Sequence, residues 1–420
     1  MFPKGFYRDE NGELNVQGIK VNTLTAKYGT PLFIYDTGLM KERYEVFLNT
    51  VKNVKGNIHY AVKANDSVNI IKFFGKLGAG ADIVSIGEFH KCVAAGISPD
   101  KIIFSGVGKD KNEIEIALKN NILQFNIESE EELNDIYEIA SKLKLTANIC
   151  LRINPDIAPN THKKISTGEK ETKFGIDNEH IFSIYEKLHK LKFINPVGLG
   201  VHIGSQIFDF NFFHKAYSNL KNIANELKNS GFKVPTLDLG GGIGIYYDEE
   251  KSPDFNAYKK VISDLFLGSE YKLRFEPGRS LIAEAGILVT KVIRNKKNKN
   301  KNFIIIDAAM NNLIRPTLYE AYHKIEPIKK FTGKEIIADI VGPICETGDF
   351  IALNRKVDKV NNNDLLTIRT TGAYSSVMKS NYNARVDAIE ILIYNGKSYQ
   401  LKKIDTIMDI ISKENTIEFI

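Results

Sequence analysis

Two periodicities alternate along the first two-thirds of the chain. Short apolar, β-branched runs, each closed by Gly, Asn, Ser or a charged residue, occur as IHYAVKAN near Lys63, ADIVSIGE near Ser85, KIIFSG near Ser105 and ILQFNIES near Glu128. They continue as ANICLRINP near Asn154, VGLGVHIGSQ near His202, TLDLGGGIG near Gly241 and LRFEPGR near Glu276, which makes eight strand candidates. Between them apolar residues return every three or four positions, as at Phe213, Ala216, Tyr217, Leu220, Ile223, Ala224 and Leu227, the stripe of an amphipathic helix. Strands that alternate with helices pair in parallel. Eight such units in about 250 residues predict an α/β fold built on a closed (β/α)8 TIM barrel, with an open doubly wound sheet as the alternative.

After Arg279 the helices drop out. GILVTKVIR, NFIIIDAAM, IIADIVGPI, DFIAL, DLLTIRT and EILIYNGKSYQLKKI follow one another as strand-like runs, with one helix expected near RPTLYEAYHKI. Asn395-Gly396 between two alternating runs is a hairpin signal. This predicts a mainly antiparallel β-sandwich or β-barrel domain. The expected division is a barrel over 36–279 and a β domain made mostly from 280–420. Residues 1–35 either join the β domain or cover the barrel. One connection is unusual: the polar stretch PDIAPNTHKKISTGEKETKFG precedes a helix expected from Glu179 to Leu191, and a long polar segment after a barrel strand predicts a lid.

Composition narrows the classes. With 43% hydrophobic residues in 420, general disorder is excluded. Lys and Arg number 57 against 51 Asp and Glu, a net +6 that arises partly from KVIRNKKNKNKN, expected as a solvated loop between two strands. Charge therefore names no nucleic-acid partner. Cys92, Cys150 and Cys345 stand far apart without metal-type spacing, which points to a reducing compartment and to neither a disulfide scaffold nor a metal site. No apolar stretch reaches bilayer-spanning length, so a soluble cytoplasmic protein is expected.

In such barrels the chemistry sits at the C-terminal ends of the strands. Here those ends carry Lys63, Ser85, Asn154, His202, Ser205, Gly240 to Gly242, Glu276 and Arg279. A lysine ending an apolar strand is either paired or working; desolvated, its amine can condense with a carbonyl, as in the attachment of pyridoxal phosphate. Consecutive glycines after TLDL let backbone N–H groups approach a phosphate, although a tight turn alone also explains them. Glu276 either pairs with Arg279 or, facing a pyridine cofactor, keeps the ring nitrogen protonated. His202 lacks paired-His spacing, which leaves a core histidine or a ring stacked on a planar cofactor. One lysine, one acid, one imidazole and one glycine loop at one barrel mouth point to one cofactor.

At these residues the sequence resembles the pyridoxal-phosphate decarboxylases of the alanine racemase-like barrel fold, and within them the diaminopimelate decarboxylase branch, over nearly the whole chain. YAVKAN resembles the motif of the cofactor lysine, Lys63. HIGSQ resembles the segment that supplies a stacking His202 and a phosphate contact from Ser205. GGG at Gly240, Gly241 and Gly242 and EPGR at Glu276, Pro277, Gly278 and Arg279 resemble the phosphate and pyridine-nitrogen segments. THKKISTGEKETKFG, NNLIRPTLYEAYH, GPICETGD and TTGAYSSVMKSNYN resemble that branch's loop, substrate and C-terminal motifs. The resemblance implies decarboxylation of meso-diaminopimelate to L-lysine with pyridoxal 5'-phosphate as cofactor. It implies Cys345 as acid, and Arg279, Arg315, Tyr319, Glu346 and Tyr374 as substrate contacts, with Tyr374 also near the cofactor. It further implies a homodimer in which Cys345 and Glu346 come from the partner chain. Arginine suits the distal carboxylate, because its guanidinium binds both oxygens at once.

Overall fold

The computed structural model describes residues 5–157, 159, 162–165, 167–168, 172–248, 253–299, 301–330 and 333–417. Two compact units form: a barrel from Lys41–Tyr246 and Lys251–Ser280, and a β-rich unit from Met1–Met40, Tyr247–Glu250 and Leu281–Ile420.

In the barrel unit the strands are Gly56–Ala61, Gly80–Ile83, Ile102–Phe104, Gln124–Ile127, Ala147–Asn154, Ile194–Val201, Thr236–Asp238 and Lys272–Phe275. Every neighbouring pair is parallel, and the eighth strand pairs back with the first, so the sheet closes as the pattern predicts. The helices between bury the expected stripes: Phe210–Asn229 buries Phe213, Ala216, Tyr217, Leu220, Ala224 and Leu227. Helix starts are chemically marked. Asp110 and Glu113 form a capping box, and the hydroxyls of Ser85 and Ser129 accept from the N–H groups of Glu88 and Glu132. The helix expected from Glu179 runs Asn178–Lys190. The polar stretch before it lies partly outside the described residues; within it, Thr167 donates its hydroxyl to the His202 carbonyl at 3.0 Å.

In the β-rich unit, Leu32–Asp36 lies at the centre, antiparallel to the long strand Gly286–Asn298 and parallel to Ile389–Tyr394. Leu14 and Val16 from the chain's first strands share one core with Ile34, Ile287, Val289, Ile391 and Ile393. The sheet is mainly antiparallel, with a second parallel pair between Lys301–Ile306 and Glu335–Val341. Asn395 and Gly396 take positive φ values of 50° and 70°, as the tightest hairpin turn requires. The basic run departs from expectation. Rather than looping, Gly286–Asn298 continues as a strand and pairs with Lys301–Ile306 through Asn298↔Lys301. Its lysines are exposed there, opposite Asn302 and Phe303, so charge occupies the outer end of a ladder whose inner end buries Val292 and Ile306. Among the described residues no helix is long and apolar enough to cross a membrane.

Candidate active site

The barrel interior is polar where its strands end. Lys63 sits in a single 3-10 turn, Val62–Ala64, directly after the first strand, and its Nζ lies 3.6 Å from Oδ2 of Asp82, a fully buried carboxylate ending the second strand. Burial pushes the Asp82 carboxyl up, while the Lys63 ammonium pulls it down. The turn is held from below: Ala61 donates its N–H to the Pro277 carbonyl at 3.2 Å, and a Cβ at Gly278 would stand 3.0 Å from the Cβ atoms of Ala61 and Ala64. Pro277 and Gly278 thus bring the EPGR segment against the lysine turn.

Glu276 closes the eighth strand and is buried. Asn126 donates to its Oε1 at 3.2 Å and to the Ser105 hydroxyl at 3.1 Å. Gln124, two residues back on the same strand face, donates to Oδ1 of Asn126 at 2.7 Å and to Oδ2 of Asp238 at 3.0 Å. Burial, with the carboxylates of Asp238 and Asp82 nearby, pushes the Glu276 carboxyl well above its ordinary range. Glu276 is therefore disposed to keep a proton, which a ligand nitrogen placed against it could share.

His202 accepts the Gly241 N–H at Nδ1, 3.1 Å away, which puts the ring proton on Nε2. Burial, then repulsion from Arg152 and Lys63, keeps the imidazole neutral, well below its usual pKa. Arg152 is fixed by Glu128 at 2.8 Å and donates to the His202 carbonyl at 3.3 Å. The glycine loop packs tightly between strand ends. A Cβ at Gly241 would stand 2.3 Å from the Glu276 carbonyl oxygen, and one at Gly242, whose φ is +112°, 2.3 Å from that of Gly204. Beside it, Arg279 donates from Nε and Nη2 to the Ser205 hydroxyl at 3.2 and 3.0 Å.

Lys63, His202 and Glu276 therefore line one cavity together with Ser105, Asn126, Arg152 and Asp238. The last four are absent from the sequence reading. Their signal was present, since each is a polar residue inside or ending an apolar strand. Two residues singled out at strand ends do other work: Ser85 caps a helix, and Asn154 turns the following chain by accepting the Asp156 N–H and donating to the Phe174 carbonyl.

In the β-rich unit, Arg315 and Tyr319 open and close the short helix Arg315–Tyr319, which ends where Glu320 turns left-handed at φ 53°. Thr317 on that helix donates to the Gly348 carbonyl at 2.6 Å, tying it to the loop that carries Cys345 and Glu346. Cys345 is exposed, with its N–H on Asn383. Glu346 faces the Tyr382 hydroxyl and raises its pKa. Tyr374 holds a left-handed backbone at φ 55°, a conformation uncommon for an aromatic residue.

The family described as pyridoxal-dependent decarboxylase, pyridoxal binding domain, matches residues 37–283. The residues present fit pyridoxal phosphate: an amine for the aldehyde, a buried carboxyl of raised pKa for the ring nitrogen, and a guanidinium, a hydroxyl and glycine N–H groups for the phosphate. The chain is 43% identical to a diaminopimelate decarboxylase of Zymomonas mobilis over 98% of this chain and 99% of that one. It is also 43% identical to one of Aquifex aeolicus over 94% of each. The crystal structure of diaminopimelate decarboxylase from Helicobacter pylori complexed with L-lysine superposes with a TM-score of 0.90 at 38% identity, covering 94% of this chain and 98% of that one. The chain belongs to the diaminopimelate decarboxylase family of pyridoxal-dependent decarboxylases.

Proposed function

We propose that the protein removes carbon dioxide from the D-configured end of meso-2,6-diaminoheptanedioate and releases L-lysine, the last step of lysine biosynthesis from diaminopimelate. The observation that carries this is the convergence of Lys63, His202 and Glu276 on one cavity in a chain akin to diaminopimelate decarboxylases over its full length. Bound pyridoxal phosphate supplies a sink for the electron pair that the departing carboxylate leaves behind. Lys63 would hold the cofactor by its amine, and Asp82, 3.6 Å from that nitrogen, would pair with it as an ammonium whenever it is free. Glu276 would keep the ring nitrogen protonated, His202 would offer a neutral planar ring, and Arg279, Ser205 and Gly240 to Gly242 would bind the phosphate.

At the distal end of the substrate, Arg315 and Arg279 bind the carboxylate, Tyr319 and Tyr374 donate hydroxyl hydrogens, and Glu346 accepts from the ammonium. Cys345 returns a proton to the decarboxylated carbon. In this reading the protein is a cytoplasmic homodimer, and Cys345 and Glu346 serve the partner's site, which agrees with an exposed thiol that has its N–H fixed. Ornithine lacks the distal carboxylate that these arginines would meet, so it is rejected.

Two measurements test the proposal. The purified protein should show a visible chromophore that borohydride bleaches, with the label mapping to Lys63. Carbon dioxide release should be confined to diaminopimelate among diaminopimelate, ornithine and lysine. A colourless protein after saturation with the cofactor, or a label elsewhere, overturns the site, and turnover of ornithine overturns the arginine roles.

A further inference from the structure

Arg315 is buried, and two uncharged rings hold it. Its Nη1 donates to Nε2 of His323 at 2.8 Å, its guanidinium carbon lies 4.5 Å from the Tyr247 ring centroid, and the Tyr247 and His323 rings meet edge to face at 5.0 Å. The partners dictate the state of the imidazole. A guanidinium has only donors, so Nε2 presents its lone pair; Nδ1 lies 2.9 Å from the Arg369 carbonyl, which only accepts, so Nδ1 carries the ring proton. His323 is wholly buried, and Arg369 beyond it is tied by its Nε to Glu326 at 2.6 Å. The imidazole is therefore a neutral acceptor whose far edge is pinned to the backbone.

We infer that His323 and Tyr247 are positioning residues for substrate recognition, fixing the Arg315 guanidinium through a neutral nitrogen and an aromatic face so that it meets the distal carboxylate of an amino-acid substrate. This rests on the assignment of Arg315 to that carboxylate. A carboxylate in place of His323 would hold the same guanidinium equally firmly but would neutralise it. A lone pair and a π face orient it without adding a negative charge of their own, which suits a group that must bind an anion. The pair thereby sets specificity for substrates with a carboxylate at the far end.

The test compares two ligands of the holoenzyme. L-Lysine keeps the carboxylate that lies distal to the reacting amine, and 1,5-diaminopentane lacks it; each is titrated against the visible spectrum. His323→Ala is expected to raise KM for meso-diaminopimelate roughly ten- to hundredfold, the loss of one hydrogen bond to a charged group, with kcat nearly unchanged. L-Lysine binding should weaken by the same factor and 1,5-diaminopentane binding should not move. His323→Gln, whose Oε1 can accept where Nε2 did, should restore most of the affinity. Tyr247→Leu should shift the ligand ratio as His323→Ala does, and Tyr247→Phe, which keeps the aromatic face, should shift it less. Equal weakening of both ligands, or loss in kcat at constant KM, makes His323 a support of the fold alone and overturns the inference. Arg315→Met separates the two levels: if it leaves the ligand ratio unmoved, the assignment of Arg315 fails, whereas a ratio moved by Arg315→Met but not by the His323 and Tyr247 variants sinks only their positioning role. Should His323→Ala fail to fold, His323→Gln and the Tyr247 pair carry the same comparison.

Discussion

At the barrel mouth Asp82 and Glu276 are buried, His202 is half-buried, and all three feel Lys63. In the β-rich unit, Arg315 is buried against a neutral imidazole and a phenol ring. In the first region charges shift each other's protonation: burial and neighbouring carboxylates raise Glu276, and burial with nearby cations lowers His202. In the second, the cation is a guanidinium, which does not titrate, and neither the imidazole nor the phenol ring brings a negative charge to it. Groups whose protonation is poised suit a reaction that moves electrons and protons; a fixed charge suits recognition. The two regions should therefore fail differently when damaged.

The sharpest way to break this contrast is at Glu276. Glu276→Gln keeps a hydrogen-bonding side chain of the same size but removes the group that keeps a proton for the ring nitrogen. Turnover is expected to fall by roughly 10²- to 10⁴-fold, the range for a positioned acid or base, while KM changes little and the Lys63-linked chromophore persists. If this variant raised KM and left kcat intact, the assignment of proton handling to the barrel mouth would collapse. A smaller effect is expected at Asn126, which donates to Glu276 and is itself oriented by Gln124. Asn126→Leu should lower turnover about tenfold, the worth of one hydrogen bond to an ionisable group, and should loosen cofactor binding measured by fluorescence. An unchanged kcat with unchanged cofactor affinity would show that Glu276 needs no help to hold its place.

Much of this was legible in the sequence, for a physical reason. Buried parallel strands must be apolar, so the eight runs stood out, and a lysine or glutamate at the end of such a run is costly unless it has a task. The same cost applies to polar residues inside the runs. Gln124 and Asn126 are two apart, hence on one face, and a barrel leaves that face only the interior or the helices. Asp82 and Arg152 carried a similar signal in GADI and CLRIN. Ser85 misled in the other direction, because serine after a strand is also the commonest start of a helix, and here it is the cap of Ile86–Ala94. The clamp on Arg315 had no local signal at all. Tyr247 and His323 are separated by most of the eighth barrel unit and several strands, and only the fold brings their rings to 5.0 Å. The basic run reads as a loop because its consecutive exposed Lys and Asn residues carry no apolar alternation, the buried side of the ladder being supplied there by Ile304 of the paired strand.

The mildest perturbation of turnover, and the most specific in form, concerns Glu88. Its Oε2 accepts the Val84 N–H at 2.8 Å, and burial, opposed by that bond, pushes its carboxyl up from 4.5 to about 7, with Asp82 adding to the rise and Lys63 opposing it. Below pH 4.5 the group is protonated in folded and unfolded chains alike. Between 4.5 and about 7 the unfolded chain gives up the proton and the folded chain keeps it, so folding stability declines as pH rises through that window and levels off above it. Glu88→Gln has no proton to lose and can still accept from Val84. Its thermal midpoint relative to the native protein should therefore climb between pH 4.5 and 7 and then stay constant, with turnover close to native. Curves that run parallel throughout, or converge as pH rises, would mean that the barrel mouth does not store a proton at this carboxyl, and would confine its poised groups to Asp82, His202 and Glu276.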